Sequence, residues 1–284
     1  MLKFVIVVGV AALVAVAGGS GGMLVYGVPL LALCAVLAFL VQWVAFVPAY
    51  LLQTEKFYDL TGSLTFMLLT LVALYYIPRV DARSLLLASL ILIWAARLGS
   101  FLFARILRDG ADGRFARIKP DPLQFLFTWT LQGLWVFLTS ACALAAITGG
   151  KPAPLAFTDV FGAALWACGF VTEAVADYQK RRFRREHGTG MFIRTGLWRF
   201  SRHPNYLGEI MLWGGVALLA LPALQGWALA TLVSPVFVYL LLTRISGIPL
   251  LERAAERRWG DLPDYQQYRD ATPLLLPFPG RRGS

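Results

Sequence analysis

The sequence predicts an all-α fold: a polytopic membrane helix bundle of seven core transmembrane helices with one extra N-terminal helix. Three observations predict it. Hydrophobic residues make up 58% of the 284-residue chain, and a mean hydropathy of +0.65 means far more apolar side chain than a soluble protein of this size can hide. Several apolar runs reach the roughly 20 residues that carry a helix across a bilayer. The basic residues are also bunched: of 26 Lys and Arg, five fall within 104–121, eight within 180–204 and seven from 244 onward. Basic loops stay on the cytoplasmic side, so these regions, and the C-terminus with them, are assigned there.

Taken in order, the segment at 3–17 opens behind Lys3 and ends in Ala15-Val16-Ala17 before Gly18. A retained helix and a leader with a small-residue cleavage site share this pattern, and the retained helix is preferred. Segments follow at 24–48, 61–77 and 84–104, separated by the polar string at 53–63 and by Pro78-Arg79. Asp121-Pro122 starts the segment at 122–147, and Gly149-Gly150 ends it, as expected for proline at a first turn and glycine past a last one. The segment at 158–179 runs into the second basic loop. Segments at 205–221 and 225–245 complete the bundle, and an amphipathic C-terminal helix follows in a crown of loops. Alternation puts the 149–157 connection outside with Lys151 in it, whereas Arg79 and Arg83, flanking Asp81, run against the charge rule. Residues 19–284 read as a single membrane domain, with 1–18 as the N-terminal apolar helix.

The net charge of +10 follows from this topology and from affinity for anionic headgroups. The basic runs lack the interleaved aromatics of a stacking surface, so no nucleic acid is implied, and no obligatory protein partner is evident. Cys34, Cys142 and Cys168 sit inside apolar segments at no metal-ligand spacing and read as packing residues; no metal is expected.

Function is sought where polar groups enter apolar segments, because each is costly there. In Ser201-Arg202-His203-Pro204-Asn205-Tyr206-Leu207-Gly208-Glu209, Pro204 reads as a helix start with Asn205 and Glu209 on one face. The helix N-terminus beside Arg202 and His203 suits an anionic group such as a phosphate. Glu173 and Asp177 share a helical face, with Arg181 and Arg184 near the same line. They form either an ion-pair ladder that ends the helix in water or the wall of a polar pocket, with acids for ribose hydroxyls and arginines for phosphates. Arg97 lies within its helix beyond comfortable snorkelling, as a structural ion pair or a cofactor contact. The loop Gln53-Thr54-Glu55-Lys56-Phe57-Tyr58-Asp59 is either ordinary interfacial polarity or the donor side of a site. In the second case a Glu55 kept protonated by an apolar wall donates to a ketone oxygen. Glu252, Glu256, Trp259-Gly260-Asp261, Tyr265 and Tyr268 form a C-terminal crown that either lies on headgroups or closes the site.

The strings GLWRFSRHPNYLGE at 196–209, DYQKRRFRR at 177–185 and QTEKFYDLTGS at 53–63, with the C-terminal acid, Trp-Gly-Asp and Tyr pattern, resemble the steroid 5-alpha-reductase superfamily, and among its members the bacterial proteins catalogued as of unknown function. The resemblance implies an NADPH site in the cytoplasmic half of a bacterial inner-membrane protein, within about 97–284. It implies that Asn205, Tyr206 and Glu209 line that site, with Asp177, Arg184 and Arg97 completing it. Members of the superfamily hold a steroid ketone with an adjacent Gln-Glu pair and a tyrosine. Here Thr54 separates Gln53 from Glu55 and Trp94 stands where the tyrosine is expected, so Tyr58 is the substitute.

The implied reaction is NADPH-dependent reduction of a conjugated enone in a lipophilic substrate, such as a Δ4-3-oxo-steroid entering from the bilayer lipid. Hydride goes to the β-carbon while Glu55, supported by Gln53 and Tyr58, stabilises the charge on the ketone oxygen. Two alternatives stand beside it. One is an S-adenosylmethionine-dependent isoprenylcysteine or phospholipid methyltransferase, which shares the Arg-His-Pro string; the other is a non-enzymatic membrane transporter or subunit.

Overall fold

The computed structural model describes residues 1–113, 115–150, 153–188 and 190–276; Lys151 lies outside them. Among the described residues, seven helices are long and apolar enough to cross a membrane, and a shorter apolar helix, α1 (Leu2–Gly18), precedes them. The all-α bundle expected from composition is therefore the fold. The chain divides into two compact units: unit 1 comprises Met1–Asp159 and Val216–Ser234, and unit 2 comprises Val160–Gly215 and the described residues from Pro235 on.

In unit 1, α1 leads into a small antiparallel hairpin, β1 (Leu24–Val25) and β2 (Val28–Pro29), in which Val25 pairs with Val28. Tyr26 and Gly27 turn it with φ of 51° and 79°, the left-handed pair of a type I′ turn. This differs from the single helix expected over 24–48. The turn claims the first residues of that run, and α2 (Leu30–Leu51) begins behind Pro29. The following helices are α3 (Tyr58–Tyr76), α4 (Ala82–Asp109) and α5 (Pro122–Thr148). Two of their starts are capped by aspartates: Asp81 accepts from Ser84 N at 2.7 Å, and Asp121 accepts from Leu123 N at 2.9 Å. Each cap satisfies an amide that the helix itself leaves unpaired. The helix α5 packs against α1, α2, α3 and α4. Every side chain from Val136 to Thr148 is buried, the behaviour of a helix that is apolar on all faces.

Arg83, which ran against the charge rule, is buried in unit 1. Its guanidinium donates to Asp159 Oδ1 at 2.6 Å and Oδ2 at 2.8 Å, and to the carbonyls of Ala153, Pro154 and Leu219. Asp159 also accepts from Ala156 N at 2.7 Å, closing the first turn of α6 (Phe157–His187). The run at 225–245, expected as one helix, is a 3₁₀ stretch (Gly226–Leu232), then α8 (Val233–Leu240), then a π turn (Leu241–Ile245). The ring of Pro235 would collide with the carbonyl of Thr231 in a continuous α-helix, so the α geometry starts only at Val233.

Unit 2 contains most of α6 and of α7 (Pro204–Ala220), with α9 (Ile248–Trp259) and α10 (Pro263–Ala271). The helix α6 runs past the expected end at 179 to His187, and its last turns carry an Arg182–Glu186 pair at 2.8 Å. Between α6 and α7 the backbones meet directly. A Cβ on Gly208 would stand 2.6 Å from both Glu173 N and Gly169 O, and one on Gly215 would stand 2.5 Å from Gly162 O. Small residues at these crossings let two membrane helices approach closely, and this fixes the distance from Glu173 and Asp177 to the start of α7.

Candidate functional site

The site in unit 2 is built around the start of α7. The preceding 3₁₀ turn, Gly196–Arg199, is fastened along α6: Leu197 N donates to Gln179 Oε1 at 2.9 Å and Trp198 Nε1 to Ala176 O at 3.2 Å. The C-terminal helices hold the same segment from another side. Tyr268 Oη donates to Trp198 O at 2.7 Å, and Arg202 N donates to Pro273 O at 2.9 Å. Glu252 accepts from Arg202 Nη1 through one carboxylate oxygen and pairs with His203 Nε2 at 2.7 Å through the other. A carboxylate with two such partners is a strong local anchor. The crown thus closes on the Arg-His-Pro-Asn motif. This was undecided in the sequence, where Glu252 stood in the string without an assigned partner.

Most of the predicted cofactor residues converge here. Asn205 Nδ2 donates to Asp177 Oδ1 at 3.4 Å, and the rings of His203 and Tyr206 stack with centroids 5.8 Å apart. Glu173, Asp177 and His203 are buried, and Glu209 follows Tyr206 on α7. Arg202 Nε, His203 Nδ1 and Asn205 Oδ1 are buried atoms with no hydrogen-bond partner within the protein, and each is stabilised when a water or a ligand meets it. Beside them lies a cleft of about 160 Å³ lined by Lys180, Arg184, Arg202, His203, Arg258 and aromatic side chains, with Glu252 as its carboxylate. Sequence reasoning passed over Lys180 and Arg258, since neither stands out within a basic run.

Burial pulls the His203 imidazole below its ordinary value of 6.5, although the Glu252 carboxylate works the other way; Lys180 and Arg202 add to the lowering. The folded ring is therefore neutral at pH 7. On acidification the unfolded chain takes this proton first, so the stability present above pH 6.5 is lost as pH falls through the folded value. Melting temperature should drop from pH 7.5 to 5.5 more steeply in the wild type than in His203→Gln. Equal slopes in a thermal melt would contradict the assignment.

The second predicted cluster lies in unit 1, and each member has local partners. Gln53 adopts a left-handed φ of 49° and donates from Nε2 to Tyr50 O at 2.8 Å. Tyr58 Oη donates to Thr128 O at 3.0 Å. Glu55 is buried and accepts from Lys119 Nζ at 2.5 Å and from Asp112 N at 2.8 Å. Burial alone would raise its pKa, but the Lys119 ammonium and the Asp112 amide outweigh this and hold the carboxyl below its ordinary value. This corrects the protonated Glu55 expected from the sequence: the group is a carboxylate, because the 110–121 loop brings it a cation. Trp94 is fully buried against Phe66, and Arg97 lies on α4 in the same unit.

A family described as "Protein of unknown function (DUF1295)" matches residues 45–272. Among curated proteins, 3-oxo-5-alpha-steroid 4-dehydrogenase 1 of Bos taurus is 30% identical over 118 residues, covering 41% of this chain and 40% of that protein. The Homo sapiens protein of the same name is 30% identical over 120 residues, covering 42% and 41%. An uncharacterized protein of Schizosaccharomyces pombe is 25% identical over 227 residues, covering 69% and 63%. The chain thus spans about two-fifths of the length of the dehydrogenases it matches. No solved structure matches it.

Proposed function

Because the chain belongs to the DUF1295 family, and with it to the steroid 5-alpha-reductase-like superfamily, we propose that it reduces the carbon–carbon double bond of a conjugated enone in a lipophilic substrate, a Δ4-3-oxo-steroid or a lipid of like chemistry, with NADPH as reductant. The observation that carries this reading is the set of buried, unpartnered atoms on Arg202, His203 and Asn205 beside a cationic cleft. Their chemistry fits a phosphorylated dinucleotide. Arg184 and Arg202 suit its phosphates, and Glu173, Asp177, Asn205, Tyr206 and Glu209 suit its hydroxyls and carboxamide. When bound, the reduced nicotinamide supplies the hydride.

The chain's own residues exclude water and stabilise the negative charge that develops on the substrate's carbonyl oxygen. The corrected Glu55 changes who performs the second task. Tyr58 uses its proton on Thr128, and Glu55 as a carboxylate has none to give. Among the N–H donors of the cluster are Lys119, which Glu55 orients, and the second N–H of Gln53. Glu55 then acts by holding the Lys119 ammonium, which offers the oxygen a charged donor. In this reading the bunched basic residues favour a cytoplasmic position for the cofactor site and C-terminus, in a bacterial inner membrane, with substrate entering from the surrounding lipid.

Purified protein should rise in melting temperature with NADPH, by the equivalent of about 2.7 kcal/mol at one hundred times the dissociation constant, and should oxidise NADPH when given a Δ4-3-oxo-steroid. Lys119→Gln should lower kcat by about 10²–10³ while the melting shift persists. A shift with S-adenosylmethionine and none with NADPH would overturn the reading in favour of methyl transfer. The cleft argues against that outcome, because its four cations and one carboxylate repel a sulfonium.

A further inference from the structure

We propose that the outward face of α9 docks on anionic phospholipid headgroups, and that this contact seats the helix whose other face pins Arg202 and His203. In the sequence the C-terminal crown stood either on headgroups or over the site; the two faces of α9 allow both. The proposal rests on the membrane fold and is independent of which cofactor the site takes.

The first support is where α9 starts. The last span ends in the π turn Leu241–Ile245, and α9 begins at Ile248. The corner between them is tight: Ser246 N donates to Leu241 O at 2.9 Å, and Gly247 N donates to the same oxygen at 3.3 Å. A Cβ on Gly247 would stand 2.6 Å from Leu242 O, so glycine alone fits there without a shift of the backbone. This corner holds the start of α9 at the end of a membrane span, where headgroups lie. Arg244 and Ile245, which close the π turn, are both exposed.

The second support is the sorting of charge between the faces of α9. Both of its acids have partners within unit 2: Glu252 engages Arg202 and His203, and Glu256 accepts from Arg269 at 3.0 and 3.1 Å. Ile248 is buried, and Glu252, Ala255 and Trp259 on the same face are half-buried. Opposite them Leu250, Arg253, Ala254 and Arg257 are all exposed, and they fall within about 100° of the helix circumference. Among the described residues neither Arg253 nor Arg257 has an ion-pair partner. A leucine flanked by two uncommitted guanidinium groups is the pattern of an interfacial helix, in which the apolar side chain enters the acyl boundary and the arginines reach lipid phosphates.

The third support is what α9 carries on its other side. Glu252 belongs to it, α10 supplies the Tyr268 Oη that donates to Trp198 O, and Pro273 O, just past α10, accepts from Arg202 N. These C-terminal elements clamp residues 198–203, and an opening that lifts α9 releases Arg202 and His203 from Glu252. Docking disfavours that opening, by about fivefold for each arginine held near an anionic surface.

Hydrogen exchange on the full chain in nanodiscs, without cofactor, tests this by comparing phosphatidylcholine alone with a mixture of phosphatidylcholine and phosphatidylglycerol. The mixture should slow exchange in α9 and at the Arg202 amide together, by about tenfold or more, and high salt should erase the difference. Arg253→Gln with Arg257→Gln should remove it while leaving exchange in phosphatidylcholine and the melting temperature unchanged. Equal exchange of the wild type in both lipids, or a difference that the double variant keeps, overturns the proposal. Slowing that depends on two chains per nanodisc rather than on phosphatidylglycerol assigns the face to a second copy and also overturns it. Slowing in α9 with none at Arg202 overturns the seating of the clamp by lipid.

Discussion

Replacing Gly208 by alanine should abolish the NADPH-induced melting shift and destabilise the protein by about 1–3 kcal/mol or more, although only one methyl group is added. That methyl would stand 2.6 Å from Glu173 N and Gly169 O and 3.0 Å from Glu173 Cα. All three are backbone atoms, so no rotamer change relieves the clash and α6 must move from α7. The Asn205–Asp177 contact, already 3.4 Å long, would then pass out of hydrogen-bond range. Gly214→Ala is the control on the same helix. Its added carbon meets only Leu165 Cδ2 at 3.7 Å, an ordinary contact, and alanine in a helix interior is favoured over glycine by about 0.5–1 kcal/mol. Thermal melts of the two variants with and without NADPH check this; similar behaviour of both would show that the helix contact does not set the site.

Arg83→Ala should cost about 3–5 kcal/mol, the typical cost of leaving one member of a buried ion pair alone. Asp159 would keep its charge in a buried position, and the carbonyls of Ala153, Pro154 and Leu219 would lose their donor. Arg83→Met combined with Asp159→Leu should recover part of the loss, because the charge goes with its partner while the three carbonyls stay unmet. Denaturation in detergent measures both variants. A single variant within about 0.5 kcal/mol of wild type would mean that water already reaches the pair.

The helices were legible wherever a long apolar run was bounded by proline or glycine, as at Pro122 and Pro204. The hairpin at 24–29 was not, because Leu24, Val25 and Val28 are as apolar as the helix that follows; only the Tyr26-Gly27 turn marked it. Pro235 hinted at the broken last segment but could not say that 3₁₀ and π geometry would flank α8. In the site, local spacing placed Glu173, Asp177, Asn205 and Glu209 on their helix faces. Long-range partners were out of reach: Glu252 meets His203 across 49 positions and Lys119 meets Glu55 across 64. That second partner reversed the charge state assigned to Glu55, since an apolar setting and a hidden cation shift a carboxyl in opposite directions.

The Arg83 contacts also impose an order on biosynthesis. Leu219 follows Arg83 by 136 residues, so at roughly 5–20 residues per second α4 is made on the order of ten seconds before its last acceptor. The 3₁₀ stretch Gly226–Leu232, which covers α1 and α5, arrives later still. During that interval the nascent chain carries an incompletely coordinated guanidinium and a bare helix surface. Insertion chaperones and membrane proteases would therefore meet a half-made unit 1, and a chain truncated before residue 219 should be degraded more readily than one truncated after residue 234.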